Sequence, residues 1–176
     1  MKNSPKKNLT EADFISIINV FKDKLFRIAK RLLVSHEEAQ DAVQEVVLKL
    51  WIQKDKMIYY TNVEAFAVTM TKNYCLDRLK SKQATNLQLI HSNYRDQHER
   101  LAKKIEARDS VSHLNRLMEQ LPVQQKMIVQ LRDIEQLEFA QIAEIMSMTE
   151  GAIRVALSRG RTTLKEALIK IHEYGT

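Results

Sequence analysis

The chain has 176 residues, with 28 Lys and Arg against 22 Asp and Glu, a net charge of +6 and an isoelectric point of about 9.4. That excess draws it to polyanions such as nucleic acid. One cysteine excludes an intramolecular disulfide framework, and three glycines with two prolines argue against a turn-rich β protein and for long helices.

The apolar content, 44% of residues, suffices for a core. No apolar run approaches the roughly 20 residues of a membrane span, and the start MKNSPKKNLT lacks a hydrophobic signal core, so a soluble, intracellular protein is expected. Thr10 with Asp13 is a loose capping box, and the helix that follows should bury Phe14, Ile17, Ile18, Phe21, Leu25, Ile28 and Leu32. Ser35 with Glu38 is a second capping box, opening a helix whose apolar side runs through Ala39, Ala42, Val43, Val46, Val47, Leu50 and Trp51. Positions 53–63 (QKDKMIYYTNV) lose the helical period and read as a loop with adjacent tyrosines. A third helix is predicted from about Glu64 to Lys82, with Phe66, Ala67, Met70, Tyr74 and Leu76 among its apolar residues.

From Gln83 to Asp109 the chain turns polar and charged without Gly or Pro, which marks a domain boundary that is not a simple flexible linker. The division expected is an N-terminal unit over 1–82, a connector over 83–110 and a C-terminal unit over 111–176. The second unit opens with a stripe through Val111, Leu114, Leu117, Met118 and Leu121. Pro122 then suits the first turn of a helix whose core residues are Met127, Ile128 and Leu131.

Residues 138–161 (EFAQIAEIMSMTEGAIRVALSRGR) are the richest stretch. Phe139, Ile142, Ala143 and Met146 make one apolar stripe, Ser147 to Thr149 interrupt it, and Thr149 can cap a second helix. In that helix Ile153 and Leu157 pack inward while Arg154, Ser158 and Arg161 share an outward face, with Arg159 beside them. A helix-turn-helix needs this arrangement, with a small residue at the crossing (Ala143) and long polar side chains for the major groove. An ordinary helical hairpin with a solvated basic face would look the same.

Two faces of the N-terminal unit are also open to more than one reading. Asp41 and Glu45, at i and i+4 with Gln44 beside them, repel one another; the face is either solvated or docks on a basic partner. Lys72, Arg78, Lys80 and Lys82 interleave with Asn73 and Tyr74, a weak pattern for phosphate neutralisation and base stacking. The five histidines have no ligand-like spacing with Cys75, so no metal is expected, and Cys75 reads as a packed thiol. No nucleophile–base pair and no phosphate-binding glycine loop is present, so neither catalysis nor a cofactor is expected.

Four segments taken in order resemble a known family. They are Glu38–Trp51 (EAQDAVQEVVLKLW), Ala65–Lys82 (AFAVTMTKNYCLDRLKSK), Leu117–Pro122 (LMEQLP) and Ile142–Leu168 (IAEIMSMTEGAIRVALSRGRTTLKEAL). Together they resemble the small two-domain extracytoplasmic-function (ECF) sigma factors of bacterial RNA polymerase. The resemblance implies an all-α fold of two small helical domains, one like sigma region 2 and one like the region 4 helix-turn-helix, joined by the polar connector. It places Asp41, Gln44 and Glu45 on the helix that binds core polymerase. Tyr59 and Tyr60 fall in the loop that pockets a flipped −10 base, without a choice between them, and Lys72, Asn73, Asp77, Arg78 and Lys80 in the helix that melts and holds the −10 element. Glu150, Arg154, Ser158, Arg159 and Arg161 fall in the helix that reads the −35 element. Implied partners are core polymerase, promoter DNA and an anti-sigma factor; the setting is cytoplasmic and the polymerase does the chemistry. The rival in another class is an autonomous helix-turn-helix regulator that dimerises and binds promoters unaided.

Some positions depart from the family pattern. Ser147 stands where the turn often has glycine, Ala152 where threonine is frequent, Ala156 where a basic residue is frequent, and Lys72 where arginine is common. The last keeps the charge but loses bidentate geometry.

Overall fold

The computed structural model describes residues 9–90 and 110–174, with side chains for 9–82 and 114–170, and the elements over these residues are helical throughout. The connector over 83–110 therefore falls outside the described side chains. In the N-terminal bundle, α1 is Glu11–Leu33, α2 is His36–Ile52, α3 is Lys54–Met57 and α4 is Val63–Ile90. Thr10 caps α1 reciprocally: its hydroxyl accepts from the Asp13 amide at 3.2 Å, and the Asp13 carboxylate accepts from the Thr10 amide at 3.3 Å. Ser35 caps α2 by half a box only. Its hydroxyl accepts from the Glu38 amide, but the Glu38 carboxylate is drawn away to Arg78 and Lys82.

The apolar stripes pack as periodicity requires. Phe14, Ile18, Phe21, Leu25, Ile28 and Leu32 of α1 meet Ala39, Ala42, Val43, Val46 and Leu50 of α2, and Trp51 sits edge-on to Phe14 with ring centroids 5.1 Å apart. Two expectations need correction. The 53–63 segment is not a continuous loop, because Lys54–Met57 forms one helical turn that tucks Met57 into the core. The third helix does not stop near Lys82 but runs to Ile90, since no glycine or proline breaks it over residues 83–90. Its buried line is Val68, Thr71 and Cys75, with Phe66, Met70 and Tyr74 only half-buried beside it.

The C-terminal bundle comprises α5 (Ser110–Gln120), α6 (Val123–Val129), α7 (Phe139–Met146) and α8 (Glu150–Tyr174). Pro122 is the N-cap of α6, one place before its first turn. At its far end α6 widens into a π-helical turn, Gln130–Ile134, which the sequence pattern does not reveal. Ile142, Ile145, Ile153, Leu157 and Leu164 close this second core over Met127, Ile128 and Leu131. Gly160 is required at the α6–α8 crossing: a Cβ there would stand 3.1 Å from Cγ2 of Val129. Gly160→Leu should therefore lower the stability of the C-terminal bundle by about 1–3 kcal/mol, measured by denaturant unfolding. An unchanged midpoint would mean that α8 can slide at this crossing.

The bundles pack on each other, α1 against α6 and α4 against α7, and their buried residues join one apolar cluster.

Candidate nucleic-acid and partner interfaces

On α2, Asp41 and Gln44 are exposed and Glu45 is half-buried, its carboxylate 3.3 Å from Lys49. Inward residues of α2 fill the bundle, so these three are left on the outer side. The strip continues into Leu48, 52% exposed, and Ile52, 76% exposed. Those two apolar side chains were not singled out by the sequence pattern, which predicts burial for neighbouring Val47, Leu50 and Trp51 but gives no reason for Leu48 and Ile52 to face water.

The structure separates the two tyrosines. Tyr60 packs on Phe66 with centroids 4.6 Å apart and donates its hydroxyl to Oε1 of Gln53 at 3.3 Å. Tyr59 stands 77% exposed at the rim of the same turn. On α4, Asn73, Asp77 and Lys80 share one exposed face, with Asp77 and Lys80 3.8 Å apart. Arg78 leans to Glu38 at 3.8 Å, so it lies toward α2.

Lys72 is placed differently from its −10 neighbours. It is buried between the bundles, donating from Nζ to the Ile145 carbonyl at the end of α7 at 2.7 Å, and burial lowers its pKa. A C-terminal helix carbonyl is a natural seat for an ammonium group. Two further contacts join the bundles. Arg27 grips Glu135 bidentately at 2.9 and 2.6 Å, and Gln130 donates to the same carboxylate at 2.9 Å. Arg31 reaches Gln130 and Asn115, both at 3.0 Å. Cys75 lies sealed in the α4 core, where burial pushes its thiol up to about 12, so it is a packed thiol and not a thiolate.

The helix-turn-helix forms as its chemistry requires. Ser147 takes the left-handed conformation (φ 55°, ψ 46°) that glycine would adopt without strain, and Thr149 caps α8, its hydroxyl accepting from the Ala152 amide at 3.2 Å. Glu150, Arg154, Ser158, Arg159 and Arg161 are all exposed. Two of the arginines are turned sideways. Arg154 bonds Glu150 at 2.9 Å and lies over the Phe139 ring, its guanidinium carbon 3.9 Å from the centroid. Arg161 is held by Asp133 from the π-helical turn, with Nε to Oδ2 at 3.1 Å, and this bond raises its pKa. Among the described residues no group of three or more His, Cys, Asp or Glu could hold a metal, and no helix is long and apolar enough to cross a membrane.

The two bundles coincide with two known domain families: Sigma-70 region 2 matches residues 17–85, and Sigma-70, region 4 matches residues 113–164. Among curated relatives, the ECF RNA polymerase sigma factor SigW of Bacillus subtilis is 22% identical over 165 residues, which span 88% of each chain. The ECF sigma factor SigM of Mycobacterium tuberculosis is 24% identical over 145 residues, covering 82% of this chain and 71% of the relative. In fold, the chain resembles the sigma factor RpoE from Bartonella quintana, solved with the anti-sigma factor NepR, at a TM-score of 0.72 and 20% identity, covering 89% of this chain and 96% of the other. With both domains present in the family's order, this chain belongs to the sigma-70 family as an RNA polymerase sigma factor of the ECF group.

Proposed function

We propose that this sigma factor docks on core polymerase through the Asp41, Gln44 and Glu45 face of α2. Tyr59 and the Asn73, Asp77 and Lys80 face of α4 then engage the opened −10 element, and the outer side of α8 reads the −35 element. The observation that carries the reading is the capped α7–α8 turn, which leaves one whole side of α8 open beside a ring of arginines. The catalytic chemistry is the polymerase's, so no residue here is assigned a catalytic role. The place of action is the cytoplasm, where polymerase and DNA meet. The RpoE neighbour is held by an anti-sigma factor, and we assign this chain a partner of the same kind.

Run-off transcription by core polymerase on a promoter library, with and without the protein, tests the reading. Start sites that depend on the protein are expected. Their absence, with tight promoter binding by a free homodimer, would instead support an autonomous regulator.

The tyrosines give a sharper test. Tyr59→Ala should slow open-complex formation by the worth of one stacked base, about 1–3 kcal/mol, and leave closed-complex binding unchanged. Tyr60→Ala should instead lower the stability of the N-terminal bundle, since it removes the Phe66 contact. Permanganate footprints of melted thymines identical in wild type and Tyr59→Ala would reduce this turn to a spacer.

A further inference from the structure

The outward centre of α8 carries no arginine. Ile153, Leu157, Gly160 and Leu164 are its buried side. At 3.6 residues per turn the centre of the opposite side is Val155 and Thr162 with Gly151 close by, and Ser158 and Arg159 flank it on either side, with Ala152 beyond Arg159. Arg154 and Arg161 fall on the flank nearest α7 and the π-helical turn, where Phe139, Glu150 and Asp133 hold them.

Among the described residues nothing uses Gly151. A glycine within a helix is costly relative to alanine because it gives up more backbone freedom. That cost is sometimes required by a positive φ or by crowding, but neither applies here: Gly151 has no positive φ, and a Cβ built on it meets nothing within 4 Å among the described residues. Gly160 is the contrast, since there a neighbouring helix demands it. A missing side chain that the fold does not need, on the exposed side of the first turn of α8, points to close approach by something outside the chain. One turn further, Val155 is 51% exposed in a face otherwise small and polar. A single exposed valine is ordinary. Its position directly beyond an unexplained glycine is the informative point.

We propose that Gly151, Ala152 and Val155 form an apolar reading face for a thymine in the −35 major groove. Gly151 lets the start of α8 approach the base edges, Val155 packs on the thymine C5 methyl, and Arg154, Arg159 and Arg161 contact phosphates from the rim. The thymine methyl is the apolar feature of the major-groove edge, so an apolar side chain selects it where a hydrogen-bonding one would read the other edges. This inference rests on the reading of α8 as the −35 helix.

The test uses holoenzyme assembled with the full chain and a duplex promoter selected by wild-type holoenzyme from a library randomised over the −35 region. Each −35 thymine is replaced in turn by deoxyuridine, which removes the methyl and nothing else. Wild type should lose about fourfold in affinity at one position, the worth of one buried methyl, and Val155→Ala should bind the thymine and deoxyuridine duplexes equally. Gly151→Ala should raise the melting temperature of the free protein by a few degrees yet weaken binding to the selected duplex about tenfold. No deoxyuridine-sensitive position in wild type, or an unchanged thymine preference in Val155→Ala, overturns the inference. If a scrambled −35 region still weakens binding in that case, the −35 reading stands without it. If scrambling has no effect, both fall.

Discussion

Reversing charge at Asp41 and Glu45 is expected to abolish co-purification of the protein with core polymerase while leaving it folded. The double variant Asp41→Lys, Glu45→Lys changes the charge of one α2 face by four units, and that face buries nothing that its own bundle needs. The Glu45–Lys49 pair is lost, but an exposed i, i+4 pair is worth only about 0.3–0.5 kcal/mol, so the stability change should stay below about 1 kcal/mol. Against a basic docking surface the same reversal turns attraction into repulsion, and like charges across an interface cost several kcal/mol. The neighbouring Leu48 and Ile52 supply the apolar area that such an interface would cover. Pull-down of core polymerase, with circular dichroism as the fold control, measures both effects. Undiminished binding at normal helicity would move the docking surface elsewhere.

How far the sequence shows all this depends on the range of the interactions. Local signals carried through: the Thr10 and Thr149 caps, the left-handed Ser147, and the apolar stripes of α1 and α2 depend on residues within four of one another, whereas in α7 Ile145 is buried with Ile142 while Phe139, Ala143 and Met146 are half-buried. The four segments that resemble sigma factors fix the order of the domains, and both domain families match there. Contacts across long separations were not legible. Arg27 and Glu135 are 108 residues apart, and each taken alone reads as a solvated charge. Lys72 reads as part of a basic face because its neighbours are exposed; only the packing of α7 on α4 reveals that its ammonium is enclosed. Arg154 is the subtler case. The helical wheel puts it near the outward face, but Glu150 four residues earlier and the Phe139 ring on α7 decide where its guanidinium goes.

Arg27→Met is expected to part the two bundles, and promoter geometry explains why they must be able to part. The −10 and −35 elements lie about 25 base pairs apart, roughly 85 Å of duplex at about 34–36 Å per turn. Here α4 touches α7, so one chain cannot occupy both elements while the bundles stay together. If α4 and α8 hold the two elements as proposed, promoter binding breaks the Arg27–Glu135 grip, the Arg31 bonds to Gln130 and Asn115, and the Lys72 bond to the Ile145 carbonyl. Glu135 is the sensitive partner, because its side chain is 1% exposed whereas that of Arg27 is 49% exposed. Removing Arg27 leaves that buried carboxylate with Gln130 as its remaining donor among the described contacts, at a cost of about 1–3 kcal/mol. Such a loss shifts the closed-to-open ratio by about 5- to 150-fold, and an interface between domains of one chain is seldom strong enough to absorb it. Spin labels at Gln40→Cys and Glu166→Cys, both exposed, would report the separation, since buried Cys75 with its raised pKa should not label. Wild type should give one short distance and Arg27→Met a longer, broader distribution. Arg27→Met with Glu135→Leu should restore the short distance, because no buried charge is then left unpaired. If Arg27→Met keeps the wild-type distance, the apolar contact between α4 and α7 holds the bundles together and the ion pair is incidental. If it opens, Lys72 is released from the Ile145 carbonyl in the same motion, as a role for it at −10 phosphate would require.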